Sequence, residues 1–104
     1  MLDFIENSSI LIVNNIEETL NLMLPKYPLH SVRVIKNEEK EEFLIAQANE
    51  TIKEAFIEKS EKKYLFLCGS TFRKEAQNAL LKILEEPPRN IVFILITNSK
   101  TSLL

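Results

Sequence analysis

The sequence has no tryptophan, one glycine (Gly69), one histidine (His30), one cysteine (Cys68) and one aspartate (Asp3). Each scarcity excludes a class of chemistry. A lone cysteine forms no internal disulfide and cannot by itself hold a zinc, so packing alone must supply the core. One histidine and one aspartate leave little from which to build a Ser-His-Asp triad or an aspartate-based acid–base pair. His30, in the loop-like stretch YPLHS, reads as an ordinary surface or boundary residue. No apolar run approaches the roughly 20 residues of a membrane span. The opening MLDFIENSSILIVNN has acids where a secretory leader has bases, which gives the expectation of a soluble, cytoplasmic chain. With 104 residues, 45% hydrophobic and 27% charged, the chain suits one compact domain and is too short for two.

What is present is an alternation. Four apolar, β-branched or aromatic runs stand out: SILIVN (residues 9–14), SVRVIK (31–36), KYLFLC (63–68) and IVFILIT (91–97). The first, third and fourth are nearly continuous, as strands buried on both faces of a parallel sheet are. The second alternates Val32 and Val34 against Arg33, as an edge strand does. Helical patterns lie between them. Asn15, with Glu18 three positions on, makes a cap, and Ile16, Leu20, Met23 and Leu24 then form an apolar face that ends at Pro25. After Asn37, the stretch EEKEEFLIAQANETIKEAFIEK places Ile45, Ala48, Ile52, Ala55 and Phe56 at helical spacing. Its length and the weak QAN leave two readings, one helix or a helix interrupted by a break or short strand near residues 43–45. The third helix follows Ser70 and Thr71 and runs through RKEAQNALLKILE with Ala76, Ala79, Leu80, Ile83 and Leu84 on one side. It stops at Pro87-Pro88, because proline disfavours helical geometry in the residue before it and lacks a backbone donor. Strand–helix alternation implies an α/β fold, an open parallel sheet of about four strands with right-handed crossovers.

Such a sheet binds its ligand beyond the C-terminal ends of the strands. The loop after the first strand reads NNIEET, with no glycine to open backbone amides toward phosphates, no lysine to reach them, and Glu17 and Glu18 to repel them. The loop after the third strand, where an ATPase of this architecture holds Mg²⁺ with Asp-Glu, reads CGST. Gly69 is then a turn former and Cys68 the small buried end of a strand. Charge is uneven: residues 1–59 carry 11 acids and 6 bases, whereas residues 60–104 carry 7 bases and 4 acids. The basic set is Lys62, Lys63, Arg73, Lys74, Lys82, Arg89 and Lys100; it is either a solvated surface or a face toward nucleic acid.

AQNALLKILEEPPRNIVFILIT, residues 76–97, resembles the clamp-loader branch of the AAA+ ATPases, above all the delta-prime family of bacterial DNA polymerase III, which carries an NALLKxLEEPP helix followed by a strand ending in threonine. Matched residue by residue, Asn78, Ala79, Leu80, Leu81, Lys82, Leu84, Glu85, Glu86, Pro87 and Pro88 fall on the family helix and Thr97 on its sensor-1 position. The Walker B acids of active members fall on Leu67 and Cys68. The resemblance therefore implies a truncated AAA+ core, P-loop-NTPase-like with strand order 1-4-3-2, spanning residues 1–104 as one domain without lid or collar. It implies a non-hydrolysing stator rather than an enzyme, needing no cofactor or metal. Its partners would be the gamma/tau motor subunits and delta, with primer-template DNA met through the whole complex. The family's trans-acting arginine lies in a Ser-Arg-Cys motif that this sequence does not contain. Candidate subunit or DNA contacts are Arg73, Lys74, Glu85, Glu86, Arg89 and Lys100; Leu80, Leu81, Ile83 and Leu84 read as core. In the family a fifth strand borders the first, so SILIVN is expected to be an open edge and to self-associate. Three rivals remain. An active ATPase lacks its motifs, a phosphoacceptor domain lacks its aspartate, and a nucleotide-independent α/β interaction module unrelated to replication is the alternative.

Overall fold

The computed structural model describes residues 5–57 and 60–98. Its elements are β1 (Ser9–Ile12), α1 (Ile16–Met23), β2 (Val32–Lys36), β3 (Glu42–Phe43), α2 (Ile45–Ala55), β4 (Lys63–Cys68), β5 (Thr71–Phe72), α3 (Lys74–Glu85) and β6 (Ile91–Thr97), with short 3-10 turns at Leu24–Lys26 and Leu29–Ser31. The main sheet runs β1-β6-β4-β2 and is parallel throughout. Counting only its four strands, that is the expected order 1-4-3-2.

β4 and β6 are the reason for the layering. Every residue of both is buried, so each face of the sheet must be covered, and alternate side chains feed two separate cores. On one face Phe66, Ile94 and Ile96 meet Leu20 and Met23 of α1 together with Tyr27. On the other, Leu65, Leu67, Phe93 and Leu95 meet α2 and α3. Ala48, Ala55 and Ala76 are all but fully buried in that second core. Their single-carbon side chains let α2 and α3 lie close on the sheet and on each other. β2 is the expected edge strand.

The open question at residues 37–45 resolves as a turn, a short strand and a late helix. Asn37 Oδ1 accepts from the amides of Glu39 (3.0 Å) and Lys40 (3.3 Å), and its Nδ2 donates to the Glu42 carbonyl (3.2 Å). This side chain offers the acidic stretch a local alternative to helix. α2 starts only at Ile45, where Gln47 Oε1 accepts from the Leu44 amide at 2.9 Å, and QAN lies inside it. β3 pairs in parallel with β5, an element the sequence did not suggest, and Phe43 stacks on Phe72 with ring centroids 4.5 Å apart.

At the opposite end of the sheet, the helix stop at Pro87-Pro88 leads directly into a tight turn. Ile91 N donates to the Pro88 carbonyl (3.1 Å), Asn90 sits at φ 67°, and its carbonyl accepts from Lys63 N (2.8 Å). The Lys63 side chain is itself buried: its ammonium bonds the Glu54 carboxylate and, at 3.1 Å, the Glu54 carbonyl, while Arg33 reaches the same carboxylate at 3.3 Å. β2, α2, β4 and the turn before β6 are thus pinned together. Asparagine tolerates the left-handed region, whereas a β-branched residue does not. Asn90→Val is therefore expected to cost about 1–2 kcal/mol in urea denaturation and Asn90→Gly to change little; equal effects of the two would contradict this.

Candidate functional site

At the C-terminal ends of the strands, where a parallel sheet receives its ligand, a cleft of about 500 Å³ opens between the start of α1, the turn after β2 and the loop after β4. Glu17, Glu38, Glu39 and Glu41 line it against Lys36 and Lys40. Lys36 is already engaged: its Nζ donates to Glu17 at 2.9 Å, and this bond holds the ammonium above its ordinary value. The first turn of α1 is equally unsuited to an anion. Asn15 Oδ1 accepts from the Glu18 amide at 2.9 Å, as expected, and Glu17 and Glu18 occupy the positive end of the helix. Among the described residues no three of His, Cys, Asp or Glu converge on a metal position.

The loops around the cleft are bonded to one another. Val13 N donates to the Thr97 carbonyl (2.8 Å), and Asn98 Nδ2 donates to the carbonyls of Val13 (2.9 Å) and Asn14 (3.1 Å). Thr97, expected from the resemblance at a sensor-1-like position, is fully buried, and its hydroxyl donates to the Ser70 carbonyl at 3.0 Å. Gly69 N donates to the Ile96 carbonyl (3.1 Å), Ser70 N to the Glu41 carbonyl (2.7 Å) and Arg73 N to the Phe43 carbonyl (3.0 Å). These bonds chain the ends of β1, β6, β4 and β2 in sheet order. Asn98, Ser70, Glu41 and Asn37 carry much of it without any sequence motif.

Gly69 stands in this chain for a reason of space. It has no positive φ; a Cβ there would lie 2.9 Å from Phe43 Cβ and 3.1 Å from Phe43 N. The expectation of a turn former is thus sharpened to a close approach between this loop and β3. Leu67 and Cys68, which the resemblance set against Walker B acids, are buried. Burial pushes the Cys68 thiol up to about 12, with Lys36 pulling the other way. In the unfolded chain the thiol ionises near its ordinary value of 9.0, so the unfolded state loses its proton first and stability falls as pH rises from there toward about 12. Cys68→Ala should flatten that loss, leaving the smaller shares from Tyr27 and Tyr64, which burial raises in the same direction, and from Lys36, which its bond to Glu17 raises; an unchanged slope in base-dependent denaturation would contradict it.

α3 presents the other candidate surface. Leu80 and Ile83 are buried and Leu84 and Ala79 pack partly on the core. Leu81 corrects the expectation of core: it is 45% exposed, on an outward face with Asn78, Lys82 and Glu85. The helical angle from Leu80 turns it away from the sheet. Glu86, Pro87 and Arg89 are exposed and Pro88 half-buried beyond the helix end, beside a second cleft of about 470 Å³ bordered by Phe56 and Ile57. Arg73 and Lys74 lie at the helix start, Arg73 paired with Glu42 at 3.5 Å. A 12-residue helix separates the two ends by about 18 Å, so the candidate contacts form two groups rather than one site. Lys100 lies outside the described residues. His30 is exposed and 3.7 Å from Glu61, remote in the fold from the strands' C-terminal ends.

A family model described as DNA polymerase III, delta subunit, matches residues 24–104, well over half of the chain. The chain belongs to this family. The match takes in the loops after β2 and β4, all of α3 and β6, and so contains most of the tied cleft and the whole exposed helix face. With membership comes the coarse role of a clamp-loader-related subunit in DNA replication, which associates with other subunits of the DNA polymerase III clamp loader. The alternative of an interaction module unrelated to replication falls with it. No curated protein and no solved structure matches the chain. Among the described residues no helix is long and apolar enough to cross a membrane.

Proposed function

We propose that the chain is a delta-prime-type stator, a cytoplasmic, non-hydrolysing subunit with a degenerate AAA+ phosphate site that docks on the gamma/tau motor subunits and on delta. The single observation that carries this reading is the cleft. Where a hydrolysing relative needs mobile loops, amides and cations for the nucleotide, this chain has loops hydrogen-bonded to one another and an excess of glutamates. Phosphate brought there would meet like charge at close range, which is unfavourable by roughly 1 kcal/mol or more per pair even in water. Arg73 and Lys74 lie at the cleft end of α3, where primer-template DNA held by the whole complex would be met. Asn78, Leu81, Lys82 and Glu85 form a face for a neighbouring subunit, with Leu81 as its apolar centre.

Calorimetric titration with MgATP is expected to show no binding, and the chain should capture the motor subunit in a pull-down without nucleotide. Leu81→Arg, on the exposed face, should weaken capture about tenfold or more while leaving the circular dichroism unchanged. Micromolar affinity for ATP would overturn the stator reading; capture unaffected by Leu81→Arg would move the contact elsewhere on the chain.

A further inference from the structure

The segment from Ile5 to Ser8 belongs to no helix or strand and precedes the residues that the family model matches. It is nevertheless fixed to the fold at both ends. Ile5 N donates to the Tyr27 hydroxyl at 2.8 Å, and the same hydroxyl donates to the Ile5 carbonyl at 3.1 Å. At the other end Ser8 Oγ accepts from Phe93 N at 3.0 Å, one residue ahead of the β1–β6 ladder, which begins at Ser9 and Ile94. Glu6, Asn7 and Ser8 are exposed, while Ile5 packs, half-buried, on the core beneath α1.

The Tyr27 ring is secured independently of this segment. It is buried and packs edge-on against Tyr64 and Phe66, with ring centroids 4.8 and 5.3 Å away. A phenol carries one donor and can also accept at the same oxygen. A single hydroxyl therefore satisfies both backbone groups of Ile5, as a neighbouring strand would. When the segment swings away, Ile5 and Tyr27 exchange these bonds for bonds to water, and an intramolecular bond is worth little net of that exchange. A segment held in this way opens locally at a fraction of the cost of global unfolding.

From this geometry we infer that residues 5–8 form a strap that opens and closes on the α1-side core as a unit, with the Tyr27 hydroxyl as its latch and Ser8 as its hinge. Closed, the strap covers the rim of the aromatic cluster with Ile5. Open, it bares the Tyr27 hydroxyl and that apolar ground, at the end of the sheet opposite the cleft. The inference does not depend on the clamp-loader reading.

The test is amide hydrogen exchange of the full chain, with Tyr27→Phe to remove the latch and keep the ring. In the unmodified chain the Ile5 amide should be protected, yet exchange well ahead of the core amides of β4 and β6, because it opens with the strap alone. In Tyr27→Phe it should exchange about tenfold or more faster while those core amides keep their rates. A glutamate-specific protease should then cleave after Glu6 correspondingly faster. Ser8→Ala should instead speed exchange at Phe93 and leave Ile5 latched. An Ile5 amide that exchanges only at the core rate, one that Tyr27→Phe leaves unchanged, or one that accelerates no more than the amides of β4 and β6 would overturn the proposal. The unmodified chain supplies the first readout, so poor folding of Tyr27→Phe leaves the test intact.

Discussion

The cleft end of the sheet depends on one hydrogen bond, from the hydroxyl of the buried Thr97 to the Ser70 carbonyl. It joins the end of β6 to the loop after β4, and the remaining ties extend from there. Through Asn98 and Val13 they reach β1; through Ser70 N and Glu41 they reach the turn after β2. Gly69 has to be glycine because this arrangement brings the loop against Phe43. The stacked Phe43 and Phe72 rings, both buried, pack at the same junction. The polar groups of these loops are thus bonded to one another.

The opposite end of the sheet is pinned by different chemistry. There Lys63, Glu54 and Arg33 join β4, α2 and β2, and the turn at Asn90 brings the chain from α3 into β6. The two prolines after α3 act on this turn by ending the helix abruptly. Between the pinned ends, β4 and β6 are buried on both faces and hold the helices in two layers. α3 is thus held on the sheet along its buried side, and its outward face offers Asn78, Leu81, Lys82 and Glu85 on a firm support.

Much of the fold was legible because its signals are local. Continuous apolar runs in KYLFLC and IVFILIT mark strands buried on both faces, Asn15 marks the first helix start, and Pro87-Pro88 mark the third helix stop. The alternation in SVRVIK marks an edge. The start of α2 was not fixed by pattern, because Ile45, Ala48 and Ile52 have the same spacing whether or not a turn precedes them; the Asn37 side chain decides it. β5 is two residues long and exists only because β3 lies beside it. Leu81 was read as core from its apolar character, yet the helix turns it outward. At the site, the absence of phosphate-binding residues could be read directly. The ties through Ser70, Thr97 and Asn98 could not, since each joins residues far apart in sequence.

Amide hydrogen exchange of the native chain at Gly69 and Ser70, with and without MgATP, tests the central claim most directly. Both amides donate to backbone carbonyls of neighbouring segments, Ile96 and Glu41. The account predicts that they exchange slowly, close to the core amides of β4 and β6, and that MgATP leaves their rates unchanged. Fast exchange in the free chain, or protection that appears only with MgATP, would mean that the loops are open and shaped by nucleotide, which contradicts a rigid, nucleotide-independent platform.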